Sequence, residues 1–234
     1  MLVAEWGFNE GSGATAADSS GNSNVLTASG SGAWDSSGKT GACATGAGGT
    51  YFSRATLTSA PTTAITVMCW AKSTTSANQD GPFVFRSQGS ESGFETVQFG
   101  YHWDGINQIK VNFNTSSNSS FAMGTPIGFN WPDSLWHHYA VTWDGTDVYL
   151  YADGSQKAGP NSLSGSLNYN DSSQPWRIAS KSDAQAGLVD DVRIFDTALS
   201  SASISTWMNT PVGGSSLTSL SGFWMGPYRR RVRA

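Results

Sequence analysis

The chain has 234 residues and a formal charge of −4, from 13 basic and 17 acidic side chains. A chain of this size buries about 70% of its unfolded surface, so it needs neither metal nor disulfides to fold. The last six residues hold Arg229, Arg230, Arg231 and Arg233, which leaves the preceding body with 9 basic against 17 acidic groups, or −8; that acidic body argues against a nucleic-acid groove in the fold itself.

The composition also excludes a membrane span, since no apolar run approaches the length one requires. No basic stretch followed by a long apolar one opens the sequence, so the reading contains no secretory leader. Abundant Gly, Ser, Thr and Asn instead suit many short strands joined by tight turns.

In chain order, Leu2 to Phe8 reads as the first strand. NEGSG (Asn9 to Gly13) and the run Asp18 to Asn22 read as turns. Short strands are expected at Val25 to Ala28 and Gly41 to Ala44, with Trp34 between them and Tyr51-Phe52 after. Ile65 to Lys72, ITVMCWAK, alternates cleanly. Cys43 and Cys69 each fall inside a strand, and spacing leaves two readings open, a disulfide or two buried thiols. With only these two cysteines and scattered histidines there is no zinc motif.

Three runs follow whose alternation can be combined. Phe83 and Phe85 oppose Val84 and Arg86; Val97, Phe99, Tyr101 and Trp103 oppose Gln98, Gly100 and His102; Ile109, Val111 and Phe113 oppose Lys110, Asn112 and Asn114. With the apolar sets in the core, Arg86, Gln98, His102, Lys110 and Asn112 share the other face. That basic, amide-bearing face is the candidate ligand surface, with Trp103 at its edge as a stacking ring.

The most strongly patterned stretch is Trp136 to Gly154, WHHYAVTWDGTDVYLYADG. Two alternating runs meet at Asp144-Gly145, the pair that tolerates positive φ, which is a strong hairpin signal. Both faces of the hairpin carry apolar groups, so it is expected between two layers. Trp103-Asp104-Gly105 repeats the recipe upstream. Adjacent strand residues point apart, so His137 and His138 cannot share one metal ion, and His138 is read as a satisfied structural histidine. Farther on, Trp176 to Ala179 and Leu188 to Phe195 (LVDDVRIF) are strands. Leu199 to Met208 is the one helix, capped by Ser200 or Ser201 with Ile204, Trp207 and Met208 as its apolar face.

These landmarks resemble a known family. FNEGSG with DSSGN, ITVMCWAK, WHHYAVTWDGTDVYLYADG and GLVDDVRIFDTALS are similar to the laminin-G-like jelly rolls of the concanavalin-A-like lectin/glucanase superfamily, over roughly residues 2 to 208. The resemblance implies an all-β fold, a two-sheet antiparallel jelly-roll sandwich with one short C-terminal helix and a non-sandwich tail. Residues 1–209 form the domain, 210–222 a flexible linker, and 223–234 an aromatic and basic tail. The resemblance also implies a structural calcium ion tying the N-terminal loop to the last strand, with Asn9, Asp18, Asn22 and Asp190 as oxygen donors. The alternative is that Asp190 accepts backbone N–H bonds with no metal. Asp190 is read as pointing inward and Asp191 outward toward Arg193.

A fold of this kind serves lectins, lyases, glycosidases, adhesion modules and virion proteins, so function is argued from residues. Retaining glycosidases need two carboxylates about 5 Å apart. Glu91 and Glu95, four apart on a strand, would stand roughly 13 Å apart. The Gln-x-His strand and paired Tyr of the related alginate lyases are missing. The reading is therefore a non-catalytic binding or structural module: a surface-displayed adhesion or virion decoration protein, extracellular or on the virion surface, that contacts glycans. Its tail would dock a protein partner through Phe223, Trp224, Tyr228, Arg229, Arg230 and Arg231, since aromatic and arginine side chains dominate interface hot spots. The runner-up is a free-standing carbohydrate-binding lectin domain, with a glycan hydrolase or lyase third.

Overall fold

A computed structural model describes residues 1–30, 33–72, 81–87, 95–102, 108–119, 121–126, 133–171, 173–181, 184–185 and 187–213. The tail residues Phe223, Trp224, Tyr228, Arg229, Arg230 and Arg231 lie outside these, as do Trp103 and Glu91. In chain order the first strands are β1 (Leu2–Trp6), β2 (Thr15–Ala16), β3 (Leu26–Ala28), β4 (Trp34–Asp35), β5 (Cys43–Thr45), β6 (Phe52–Arg54) and β7 (Ile65–Lys72). Next come β8 (Gly81–Ser87), β9 (Glu95–His102), β10 (Gln108–Phe113), β11 (Phe121–Pro126), β12 (His137–Trp143), β13 (Asp147–Ala152) and β14 (Ser155–Ser162). The last are β15 (Trp176–Ile178), β16 (Ser180–Lys181), β17 (Ala184–Gln185) and β18 (Leu188–Phe195), followed by helix α1 (Ser201–Met208).

The front sheet runs β11-β10-β9-β8-β15-β6-β3-β2, and the back sheet runs β14-β13-β12-β7-β18-β5-β4 with β1 also on β18. All the pairings described are antiparallel, so this is the two-layer jelly-roll sandwich. The interior is aromatic: Phe83 stacks on Tyr139 with centroids 5.1 Å apart, and Phe113 lies 6.1 Å from Trp143. Two of the buried indoles use their N–H groups: Trp6 donates to the Asn24 carbonyl and Trp143 to that of Leu163. Each such bond removes the penalty that burying an unpaired donor would carry.

The central hairpin is β12–β13. Tyr139, Val141 and Trp143 enter the sandwich core, while Ala140 and Tyr151 face outward into a second apolar cluster with Met68, Phe195 and Ile204. Helix α1 covers that side. The Ser200 hydroxyl accepts from the Ser203 amide and caps the helix, and Ile204 is its buried anchor. The two-faced hydrophobicity of the hairpin therefore reflects two separate cores. At its turn, Asp144 Oδ1 accepts from the amides of Thr146 and Asp147, and Gly145 sits at φ +96°.

The thiols of Cys43 and Cys69 are free and buried. Strand β18 lies between β5 and β7, so the two cysteines sit on strands about 9–10 Å apart, beyond disulfide reach. Within residues 210–213, the described start of the expected flexible linker, Val212 is anchored to the body. Val212 is buried; its amide donates to Asp191 Oδ1, and its carbonyl accepts from Asn9 Nδ2. Among the described residues no helix is long and apolar enough to cross a membrane.

Candidate functional site

The two outer faces of the sandwich differ. The back sheet is covered by α1, whereas no helix of the described chain covers the front sheet. Directly opposed residues of an antiparallel ladder share a face, so register lays out the outer side of the front sheet, although Gln98 and Phe85 at its centre are buried. One row crosses the sheet as Ala122, Asn112, Gln98, Phe85, Arg177, Ser53 and Thr27. The next row holds Gly124, Lys110 and Gly100. The Gln108 side chain lies over Gly124, its Oε1 2.5 Å from where a Cβ would stand, so the space beside the lysine opens on the Gly100 side.

Within this surface Asn112 Nδ2 donates to Gln98 Oε1 at 3.1 Å, which locks the two amides together. Asn112 Oδ1 is screened from solvent and takes no hydrogen bond from the protein. A buried carbonyl oxygen without a donor costs about 1–3 kcal/mol, so the group calls for a water or a ligand hydroxyl. A pit of about 10 Å³ between Gln98, Gly100, Tyr101 and Lys110 has room for one water. Farther along, the Arg177 guanidinium lies 4.8 Å over the Tyr51 ring. The face can present amide, ammonium and guanidinium donors, with one aromatic ring at its side.

Of the residues expected here, Gln98, Lys110 and Asn112 are brought together. His102 is paired with Gln108 in the same register and parity, but its side chain lies outside the described set, as does Trp103. Arg86 corrects the expectation. A bulge between Pro82 and Val84 sends both Phe83 and Val84 into the core and reverses the parity that follows. Phe85 therefore takes the outer place and Arg86 the inner one, opposite Val97 and Trp176. Arg86 is 2% exposed, donates to Thr96 Oγ1 and the Asp171 carbonyl, and lies over the Tyr169 ring. Burial lowers its pKa against the attraction of Tyr169 and Asp171. Arg177 and Tyr51 were missed. The alternation of Trp176-Arg177-Ile178 already placed the arginine outward, but nothing local to the sequence puts β15 beside β8.

The four oxygens expected around calcium are divided. Asp18 Oδ1 accepts from the amides of Glu5 and Ser20, and its Oδ2 from the Asn24 amide and the Ser20 hydroxyl. Asn22 Nδ2 donates to the carbonyls of Leu2 and Val3. Both residues brace β1. Asn9 and Asp190 instead meet the loop around residues 39–41. Asp190 accepts from the Thr40 amide, and Asn9 Oδ1 lies where a Cβ on Gly41 would approach to 2.3 Å. Among the described residues no three His, Cys, Asp or Glu side chains converge as metal ligands do.

Asp190 and Asp191 also differ from expectation. A bulge in β18 between Asp190 and Arg193 puts Asp190 opposite Trp70, on the back face. Asp191 is not outward; it is 3% exposed and held at φ +48°. Burial, then the neighbouring Asp191 charge, pushes the Asp190 carboxyl up to about 7, against the amide bonds from Thr40, Asp191 and Lys39. Burial likewise raises Asp191. Arg193 pairs with Glu5 at 2.7 Å instead.

His137 is bracketed by Asp153 at 2.7 Å and Asp133 at 3.0 Å. His138 is buried as expected but not satisfied, for neither ring nitrogen has a partner.

Most of these carboxylates are already engaged: Asp133 and Asp153 pair with His137. Glu5 is bound to Arg193, Glu10 to the Ala17 amide, and the adjacent Asp190 and Asp191 are buried.

The fold has solved relatives. Domain 4 of an extracellular arabinanase from Geobacillus stearothermophilus, solved with arabinotriose, is 18% identical, with TM-score 0.65 over 88% of this chain and 97% of that one. The binding domain of Paraclostridial Mosquitocidal Protein 1 is 14% identical with TM-score 0.61, over 89% of this chain and 52% of that one, so the chain spans about half of its length. The Ruminococcus gnavus sialidase CBM40 with α2,3-sialyllactose is 12% identical with TM-score 0.50, over 62% and 83%. Comparison with curated proteins finds no match by sequence. A family model described as concanavalin A-like lectin/glucanases matches residues 45–205, which takes in the strands of the central hairpin and most of the front sheet. With that match and two antiparallel sheets in hand, the chain belongs to the concanavalin A-like lectin/glucanases superfamily.

Proposed function

We propose that this domain is a non-catalytic glycan-binding module whose ligand surface is the outer face of the front sheet. The observation that carries the reading is Asn112 Oδ1, a screened acceptor without a donor beside the Gln98 amide. Lys110 and Arg177 on the same face favour a glycan bearing a carboxylate. Two of the similar structures hold oligosaccharides, arabinotriose and sialyllactose, which supports the ligand class. The test is titration with 3′-sialyllactose and with a uronate oligosaccharide. The Asn112→Leu variant is expected to bind at least tenfold more weakly, about 1.4 kcal/mol. Equal affinity in wild type and variant would remove this surface from the site, and sugar cleavage by the pure chain would end the non-catalytic reading.

The wider role belongs to the same proposal: an extracellular or virion-surface adhesion or decoration protein, held to a protein partner by the tail. The composition of residues 223–234 supports it. Deleting them is expected to abolish partner binding or assembly while sugar binding persists; the free-standing lectin reading predicts that deletion changes neither. A structural calcium is kept in reduced form, with Asn9 and Asp190 as donors beside the 39–41 loop. It predicts a melting temperature that rises with millimolar calcium and returns with chelator, and a flat response removes it.

A further inference from the structure

A cleft of about 600 Å³ opens at one end of the front sheet, its lining beginning at Asn114, two residues beyond Asn112. Its walls are two loops zipped together. Thr115 bridges Leu167, the Ser116 amide donates to the Ser166 carbonyl at 2.8 Å, and Thr115 Oγ1 donates to the Ser164 carbonyl at 2.7 Å. Gly165 makes the close approach possible, at φ +103° with Ser117 N only 2.9 Å from where a Cβ would stand.

Asn114 lines this cleft at 2% exposure. Its Nδ2 is used, donating to the Ser119 carbonyl at 2.8 Å, whereas its Oδ1 is buried and has no partner. The Tyr169 ring also lines the space and is held in place by its hydroxyl, which donates to the Pro61 carbonyl at 2.7 Å. The remaining lining side chains among the described residues are amides, hydroxyls and Leu167, and none is charged.

The chemistry of such a lining is specific. Amides and hydroxyls both donate and accept, as sugar hydroxyls do, and the volume lies in the range of small-ligand sites. The lining itself carries no cation, and the Arg86 guanidinium behind the Tyr169 ring is engaged with Thr96 Oγ1 and the Asp171 carbonyl, so an anionic group in the cleft would be poorly compensated for its desolvation. We infer that the cleft is a second carbohydrate subsite, selective for uncharged sugars, in which a ring hydroxyl donates to Asn114 Oδ1. It rests on the proposed function for its ligand class and adjoins that surface, but its lining residues are different.

The test titrates the full chain with lactose and arabinotriose as neutral probes and with 3′-sialyllactose as the charged one. Two variants address the cleft: Asn114→Leu removes the buried acceptor, and Ser117→Trp fills the exposed rim without touching the core. Circular dichroism confirms that each is folded. At least tenfold weaker binding of the neutral probes by Ser117→Trp is expected, and by Asn114→Leu where it folds. Absence of neutral-sugar binding at millimolar concentration overturns the cleft, as does binding indifferent to both variants. If neutral affinity follows Asn112→Leu instead, the cleft fails and the front-face reading stands; if no probe of either kind binds, both fail.

Discussion

Replacing Arg193 by methionine is expected to destabilise the fold by about 3–5 kcal/mol, the usual consequence of removing one partner from a buried ion pair. The side chain is 1% exposed and joins three parts of the molecule. Its Nε donates to Glu5 Oε1 on β1, its Nη1 donates to the Trp207 carbonyl at 3.1 Å, and its Nη2 donates to the Thr210 carbonyl. The guanidinium also lies 5.3 Å from the Trp207 ring centroid. Methionine fills the space but leaves the Glu5 carboxylate and two helix-end carbonyls without their donor, so α1 should loosen before the sandwich does. Denaturant unfolding gives the total, and amide exchange in residues 201–208 locates it. A second change, Glu5→Leu, should recover part of the loss, because an apolar pair avoids the desolvation that a lone carboxylate suffers. A loss below about 1 kcal/mol in Arg193→Met would mean the latch is decorative.

His138 makes the second large prediction, one that depends on pH. The ring is buried edge-on to Trp70, with centroids 5.5 Å apart, and burial followed by the Arg193 charge lowers its pKa to about 3. The unfolded chain binds this proton near pH 6.5, the folded chain only near 3. Folding is thus unaffected by this residue above about pH 6.5. It loses stability as the pH falls from 6.5 toward 3, by on the order of 4 kcal/mol in all. Asp190, with its pKa raised to about 7, acts in the opposite sense over pH 7 to 4. The informative quantity is therefore the difference between His138→Leu and wild type. That difference should favour the variant increasingly as the pH is lowered, with near parity or a modest advantage at pH 7, where two partnerless ring nitrogens are removed. A difference curve flat between pH 7 and 4 would refute the buried neutral ring.

Much of the architecture was legible because period-two alternation is a local property. Ile65–Lys72 and Leu188–Phe195 were read with their observed bounds, and Ser200 was correctly placed among the helix-cap candidates. The strands that escaped notice lack that signal. Strand β14 is polar along most of its length, as suits an edge, and β11 ends in Gly124, Thr125 and Pro126. The layout of the front face was half legible. Gln98 and Asn112 follow from unbroken alternation in β9 and β10, whereas Arg86 was misplaced by a bulge that inserts one residue and exchanges the faces beyond it.

By itself, then, the order of residues determined the longer strands, the hairpin turn and the helix cap, because each depends on neighbours a few positions apart. Tertiary structure alone decided the rest. It turned Arg86 inward and Phe85 outward, set β15 with Arg177 beside β8, buried Asp191 under Val212, and brought residues 115–119 against 164–170 to form a cleft. The physical reason is common to all four. Each depends on which distant segments pack together and on where a ladder slips by one residue, and a long-range pairing free energy leaves no periodic mark along the chain.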